Sequence, residues 1–174
     1  AEIAPCQQLR QIEIMDRGPL RERYAEAVLS NLPLDIGQRE LDLIGARLGW
    51  PEDHLRLIHL PDQPGPGNAL MITVEYEGTT EVFSAIGEKH VRAEAVAEAV
   101  VKELKGYLDS TAAIGEHLAD QVMLPMALAG GGRFTLQTIS QHALTNAEVI
   151  SRFLPVRFHF EEAGPGGANV VTVT

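Results

Sequence analysis

Residues 115–132 read GEHLADQVMLPMALAGGG, a stretch that predicts a helix followed by an abrupt stop. Apolar residues dominate after Gln121, which indicates a helix buried on most of its surface. The run Gly130–Gly131–Gly132 ends it, because glycine readily adopts the backbone conformation that closes a helix. We expect this helix to span residues 111–128. The same glycines, followed by Arg133, could alternatively wrap a phosphate.

The sequence after this stretch predicts further strands and one helix, as in an α+β fold. Strands are expected at 133–138, 156–160 and 169–174, with a helix at 145–153 between them. Thr145 and Glu148 have the spacing of a capping box, and Leu144 and Val149 that of a hydrophobic staple. This helix is therefore expected to begin at Thr145.

The upstream sequence predicts a second α+β unit at residues 19–109. Residues 11–15 alternate like a strand and end in a turn, and residues 20–29 are extended or amphipathic. Asp35, with Gln38, is expected to cap a helix that runs to about Gly49. Strands are predicted at 54–60, 69–76 and 80–86. A helix at 91–108 would carry one apolar stripe, consisting of Val96, Val100, Leu104 and Leu108.

Composition narrows the class of protein. The 174 residues are 45% hydrophobic and 22% charged, as in a folded globular chain. The net charge of −10 argues against broad electrostatic binding of nucleic acid. No stretch reaches the roughly 20 apolar residues of a membrane span, and the first residues do not resemble a signal peptide. With Cys6 as the single cysteine, we expect a reducing, cytoplasmic setting.

Three groups of residues are candidates for chemistry. His142, just before the predicted helix, is either a packing or capping residue, the commoner role, or a nucleophile facing an anion at the helix N-terminus. Gln121 falls in the apolar stripe predicted for Ile114, Leu118, Val122 and Pro125, where a buried amide needs a partner or a ligand. It shares a helix face with His117 and Asp120. Lys89, His90 and Arg92 form either a solvated face or a contact for RNA phosphate.

Several segments together carry a family resemblance. They are LPDQPGPGNAL (60–70), the stretch from Gly87 to Thr135, SQHALTN (140–146) and RFLPVRF (152–158). In this order they resemble the C-terminal half of an RNA 3′-terminal phosphate cyclase.

The resemblance implies a fold and a reaction. The fold would be α+β, with two-layer α/β packing: a cyclase core repeat of βαβαββ type plus an inserted small α+β domain. Residues 1–18 would end the larger core domain, 19–109 would be the insert, and 110–174 would be the C-terminal repeat. Such enzymes use ATP and a divalent metal, Mg or Mn, to adenylylate a histidine, pass AMP to an RNA 3′-phosphate, and release a 2′,3′-cyclic phosphate.

The resemblance also assigns residues. The adenylylated histidine would be His142, and the adenine-nucleotide segment would comprise His117, Leu118, Ala119, Asp120 and Gln121. Some relatives have tyrosine where His117 stands, so stacking on adenine would here be by imidazole. The N-terminal half, with most metal ligands and basic substrate contacts, is not in this sequence, and we expect it as a partner together with RNA ending in a 3′-phosphate. The alternatives are a catalytically inactive, cyclase-like scaffold for RNA processing or ribosome biogenesis, and a fragment that binds nothing.

Overall fold

The structure is a computed structural model that describes residues 8–61, 64–164 and 167–174. The start of the expected 1–18 segment, the single cysteine and part of the loop after Leu60 therefore lie outside the described residues. The strands are β1 (Ile12–Ile14), β2 (Leu20–Ser30), β3 (Leu55–Leu60), β4 (Gly67–Tyr76), β5 (Thr80–Ile86), β6 (Gly132–Leu136), β7 (Phe158–Glu161) and β8 (Asn169–Val173). The helices are α1 (Leu34–Leu48), α2 (Ala93–Asp109), α3 (Glu116–Leu128) and α4 (Gln141–Phe153).

The chain divides into two compact units. One is Pro19–Asp109, and the other combines the segments before and after it. Within the described residues, each unit contains a four-stranded sheet and two α-helices, so the expected α+β class is confirmed. None of the helices in the described part of the chain has the length and apolar character needed to cross a membrane.

In the unit Pro19–Asp109 the strand order is β3-β2-β4-β5, with β2–β3 parallel and the other pairs antiparallel. Segment 20–29, left open by its pattern, is the long strand β2. The helices α1 and α2 share one core with the sheet, and two ion pairs, Arg39–Glu94 and Arg47–Glu98, join them.

Two helix starts in this unit differ from the sequence expectation. The helix α1 begins at Leu34 with Pro33 at the cap, so Asp35 lies in the first turn and does not cap it. Gln38 donates instead to Asp42, one turn on, at 2.8 Å. The end at Gly49, with φ of 64°, was predicted correctly. The helix α2 begins at Ala93, two residues later than expected.

The apolar stripe predicted for α2 is buried at its first three positions and exposed at its last. Val96, Val100 and Leu104 are buried, whereas Leu108 is 42% exposed. Tyr107 takes the last buried position and packs its ring against Phe83. The helical period of 3.6 residues accounts for this shift, because a strict step of four drifts off the buried face.

The second unit has the order βαβαββ once Pro19–Asp109 is set aside: β1, α3, β6, α4, β7, β8. Its sheet order is β1-β6-β8-β7, with β1 parallel to β6 and the pairs β6–β8 and β7–β8 antiparallel. The helices α3 and α4 follow strands in this sheet and pack together over the same core.

After the unit Pro19–Asp109 the chain returns to this sheet at Ile114, which pairs with β6 in parallel, as β1 does. Ile114 pairs in parallel with Leu136, the last residue of β6, and its N–H donates to the carbonyl of Thr135. Residues 111–115 are therefore not helical, contrary to the expectation that the helix starts at residue 111. Pairing with β6 satisfies the backbone there, so α3 begins only at Glu116.

The buried face of α3 also differs from the prediction. The core side chains are Ala119, Met123, Met126 and Ala127. Leu124 and Leu128 are 47% and 56% exposed, so the apolar sequence does not produce a helix buried all round. Gln121 is exposed rather than embedded in an apolar stripe. The apolar stripe that was predicted to start at Ile114 is therefore wrong, because Ile114 lies outside the helix.

The glycine run acts as the stop of α3. Gly130 and Gly131 have positive φ, and their N–H groups donate to the carbonyls of Ala127 and Met126. Gln11 donates to the carbonyl of Gly130 at 2.7 Å. These N–H groups are thus engaged within the protein, which favours the stop over the phosphate-wrapping alternative.

Candidate functional site

The candidate nucleophile lies in the first turn of α4, not outside the helix. Ser140 is the N-cap, and its hydroxyl oxygen accepts from the N–H of Ala143 at 3.2 Å. His142 is therefore the second helical residue, and its side chain is exposed. In this position imidazole stands beside backbone N–H groups that have no partner within the helix, an environment that favours anions.

The expected start at Thr145 is wrong. Glu148 pairs with Arg152 instead of closing a capping box, and Thr145 accepts a side-chain hydrogen bond from Gln141. Leu144 and Val149 are 41% and 47% exposed and form no staple. The reason is packing: Ala143 belongs to the buried face with Ala147 and Ile150, so the first turn is needed for the core.

The nucleotide segment suggested by the resemblance is the start of α3. Its polar members His117, Asp120 and Gln121 are one turn apart and share a face, and the first and last are exposed. Ala119 is fully buried and Leu118 packs on the same core. Leu118 and Ala119 thus fix the helix, which leaves the polar face available for a ligand.

A hydrogen bond links this segment to the helix of His142. The side-chain amide of Asn146 donates to the backbone carbonyl of Asp120 at 3.1 Å. Asn146 lies one turn beyond His142 on the same helix face. The sequence did not indicate Asn146, because the predicted helix left His142 outside and the partner of Asn146 lies on another helix. One carboxylate oxygen of Asp120 is buried without a hydrogen-bond partner among the described residues.

The two helix N-termini lie at the same end of the sheet. Gly115 caps α3 directly after Ile114, which is paired with the end of β6, and Ser140 caps α4 four residues after that strand ends. In open α/β sheets, ligands bind outside the carboxyl ends of parallel strands. His117 and His142 therefore both belong to the end of the sheet where a ligand is expected.

The third candidate group lies in the other unit. Lys89 and His90 are exposed and line a cavity there, and Arg92 forms an ion pair with Glu94. His90 has a φ of 71°, in the left-handed region that few non-glycine residues adopt. No group of three or more His, Cys, Asp or Glu side chains in the described ranges is placed to hold a metal ion.

Comparison with known proteins identifies the class to which these two units belong. The family model described as the insert domain of RNA 3′-terminal phosphate cyclase matches residues 15–109. The chain is 45% identical over 162 residues to the RNA 3′-terminal phosphate cyclase of Koribacter versatilis (strain Ellin345), covering 93% of this chain and 46% of that protein. The corresponding protein of Salmonella agona (strain SL483) is 45% identical over 161 residues, which cover 92% and 46%.

The chain belongs to the RNA 3′-terminal phosphate cyclase family, as its sequence resemblance indicated. It spans about half the length of these curated relatives.

Proposed function

We propose that this chain is the nucleophile-bearing part of an ATP-dependent enzyme that converts an RNA 3′-terminal phosphate into a 2′,3′-cyclic phosphate. The observation that carries the proposal is the link between α3 and α4: Asn146 holds the helix of exposed His142 against Asp120 in the segment assigned to the nucleotide. The relatives are named as RNA 3′-terminal phosphate cyclases, which supports a reaction at an RNA 3′-phosphate, and the ATP-dependent route through a histidine is part of the proposal.

In the proposed first step, an imidazole nitrogen of His142 attacks the α-phosphorus of ATP. A nitrogen–phosphorus bond forms, the bond to the bridging oxygen breaks, and pyrophosphate leaves. An oxygen of the RNA 3′-phosphate then attacks the AMP phosphorus and frees the histidine. Finally the neighbouring 2′-hydroxyl loses its proton and attacks the 3′-phosphorus, and AMP departs with the electron pair.

Local structure supports the first step in two ways. The N-terminus of α4 favours the negative charge of a phosphate next to His142. The exposed amide of Gln121 and the imidazole of His117 are available to contact the nucleotide. Covalent transfer through an enzyme nucleophile also divides one difficult exchange into easier ones.

The remaining parts of the active site are proposed to come from the N-terminal half. A divalent metal of this kind is usually held by one or two carboxylates together with substrate phosphates, and we propose that the N-terminal half supplies most of these ligands. The net charge of −10 agrees with a source of most phosphate contacts outside this chain. The single cysteine favours a reducing compartment, and we propose the cytoplasm.

A labelling experiment tests the proposal. The chain is mixed with the N-terminal portion of the Koribacter versatilis relative, magnesium or manganese, and ATP labelled at the α-phosphorus. We expect acid-labile label on the chain, absent in His142→Ala and retained in His159→Ala, which changes another exposed histidine. RNA binding without label in the unmodified chain would instead favour a catalytically inactive scaffold.

A further inference from the structure

An exposed stripe runs along α3, away from the side chains that this helix buries. Its members are spaced by four, three and four residues, as on a single helix face: His117, Gln121, Leu124 and Leu128. All four are exposed, whereas Ala119, Met123 and Met126 lie in the core. The stripe is therefore polar in its first half and apolar in its second.

The helix α4 carries a second stripe of the same design. Its members have the same spacing: His142, Asn146, Val149 and Phe153. Phe153 is 82% exposed. Asn146 is half-buried, and its amide donates to the Asp120 carbonyl of α3. This bond places the stripe of α4 on the flank that meets α3.

The two stripes border one groove on the outer face of the helix pair. The helices pack together over one core and begin at the same end of the sheet, so they run in the same direction. The bond from Asn146 to Asp120 puts these two residues at the same level along the pair. Each stripe then has two apolar side chains further toward its C-terminal end. We call these four the apolar patch: Leu124 and Leu128 of α3, and Val149 and Phe153 of α4.

The apolar patch stays exposed with every described residue in place. Single apolar side chains on a surface are ordinary in soluble proteins and need no partner. Four at neighbouring positions, one of them an aromatic ring, are instead typical of a contact with another protein. The histidines lie at the other end of the same groove, so a body seated on the patch also reaches the candidate site.

Charge and length together indicate which body this is. A second copy would bring another net charge of −10 against the first, and like charges repel. The chain covers only 46% of each of the two relatives compared above. The rest of such a protein is the body that the proposed reaction requires next to His142.

We propose that the apolar patch is the docking surface for the N-terminal half of the cyclase. This inference rests on the proposed function, which requires that half beside His142. Apolar residues of the N-terminal half cover the patch, and its phosphate contacts reach His142 along the groove between α3 and α4. The same contact thus joins the two halves and completes the site.

Thiol reactivity tests the proposal. Val149→Cys and its matched control Leu144→Cys are made together with Cys6→Ser, which removes the single native cysteine. Leu144 is similarly exposed but lies on the opposite flank of α4. Each variant is compared as the separate chain and joined in one polypeptide to the N-terminal portion of the Koribacter versatilis relative. Joining should slow the reaction of maleimide with the Val149→Cys variant at least about tenfold, and with the control less than about twofold.

A second pair of variants gives a test independent of thiol chemistry. Phe153→Gln should leave the urea midpoint of the separate chain unchanged, because its exposed ring adds little to the core. The same change should lower the midpoint of the joined protein, in which the ring is covered. Leu144→Gln is the control and should change neither midpoint.

Two results would overturn the proposal. One is equal reactivity of the Val149→Cys variant in the separate chain and the joined protein. The other is a reaction of the separate chain that slows as its concentration rises, because a second copy would then cover the patch. Protection of the patch without label on His142 would remove the proposed function and leave the docking surface standing. Label on His142 with an unprotected patch would do the reverse.

Discussion

Asn146 on α4 donates to the backbone carbonyl of Asp120 on α3, across 3.1 Å and 26 positions of sequence. Because the acceptor is a backbone carbonyl, this bond fixes the position of the helix and not only the rotamer of one side chain. The bond therefore sets where His142, one turn earlier on α4, stands relative to the polar face of α3.

Removing this bond should affect stability and labelling together. We expect Asn146→Ala to lower the free energy of unfolding by about 1 kcal/mol, the usual contribution of such a bond, and to slow adenylylation of His142. Urea denaturation and the labelling assay measure the two effects. Gln141→Ala, which removes an exposed 3.3 Å bond to Thr145, is the control, and equal effects of both variants would contradict the role of Asn146.

The start of α4 can be tested by its cap. Ser140→Ala should destabilise the chain by about 1 kcal/mol, and Ser140→Asp should retain most of the stability, because aspartate also caps. Thr145→Ala should change stability by less than about 0.5 kcal/mol, since Thr145 lies inside the helix. Thermal and urea unfolding would give the ranking, and a larger loss at Thr145 would restore the start expected from sequence.

Glu40 predicts a pH dependence of stability. Burial raises the pKa of this carboxyl above its ordinary value, although the Asn68 amide and nearby Arg39 partly oppose the shift. Below the ordinary value both folded and unfolded chains are protonated at this site. As pH rises past it, the unfolded chain ionises first, so stability falls until pH passes the pKa of the folded state.

Glu40→Gln should remove this fall, because glutamine keeps an acceptor for Asn68 and does not ionise. The difference in unfolding free energy, variant minus wild type, should therefore increase from about pH 4 upward. Urea denaturation at several pH values measures it. Glu103→Gln, an exposed site on α2, is the control, and a constant difference for Glu40→Gln would refute the prediction.

Arg17 joins the two chain segments that flank the unit Pro19–Asp109. Its guanidinium donates to the carbonyls of Ala112 and Ser110 at 2.6 and 2.8 Å, and to the Ser110 hydroxyl at 3.0 Å. Lysine cannot reproduce this fork, so Arg17→Lys should cost about 2 kcal/mol in unfolding free energy. Arg21→Lys, which alters an exposed 3.8 Å ion pair with Glu77, should cost less than about 0.5 kcal/mol.

The glycine run should tolerate no side chain at its second position. Gly131 has a φ of 143°, and a Cβ there would lie 2.8 Å from the Gln11 amide nitrogen and 3.0 Å from the Val173 carbonyl. We expect Gly131→Ala to cost about 1 to 3 kcal/mol, measured by thermal unfolding. Gly164→Ala, in open space, is the control. Equal stability of the two variants would show that the run has no structural role.

Sequence periodicity predicted the elements better than their ends. The strand β5 was predicted at its observed bounds, since alternation continues to both turns. The start of α4 was misplaced because Thr145 with Glu148 makes a stronger local motif than Ser140, and only the core position of Ala143 decides between them. Local motifs compete, and tertiary packing selects among them.

The candidate site could be predicted only in part from the sequence, because it also depends on tertiary packing. The exposed side chains of His117 and His142 agree with a role in binding, and the role itself stays a prediction. The bond from Asn146 to Asp120 could not be found without knowing that α3 and α4 pack together. Leu124 and Leu128 were expected to be buried from their composition, which cannot tell which face of a helix meets the sheet.

The junction around Thr135 has a consequence for folding kinetics. The Thr135 hydroxyl donates to the Met15 carbonyl, 120 residues away, and accepts from the N–H of Ala113. Contacts this distant in sequence slow folding, because a long loop must close before they form. If the unit Pro19–Asp109 folds first, its joined ends shorten the effective loop, so the β1–β6 pairing at the edge of the sheet forms faster than its separation in sequence suggests.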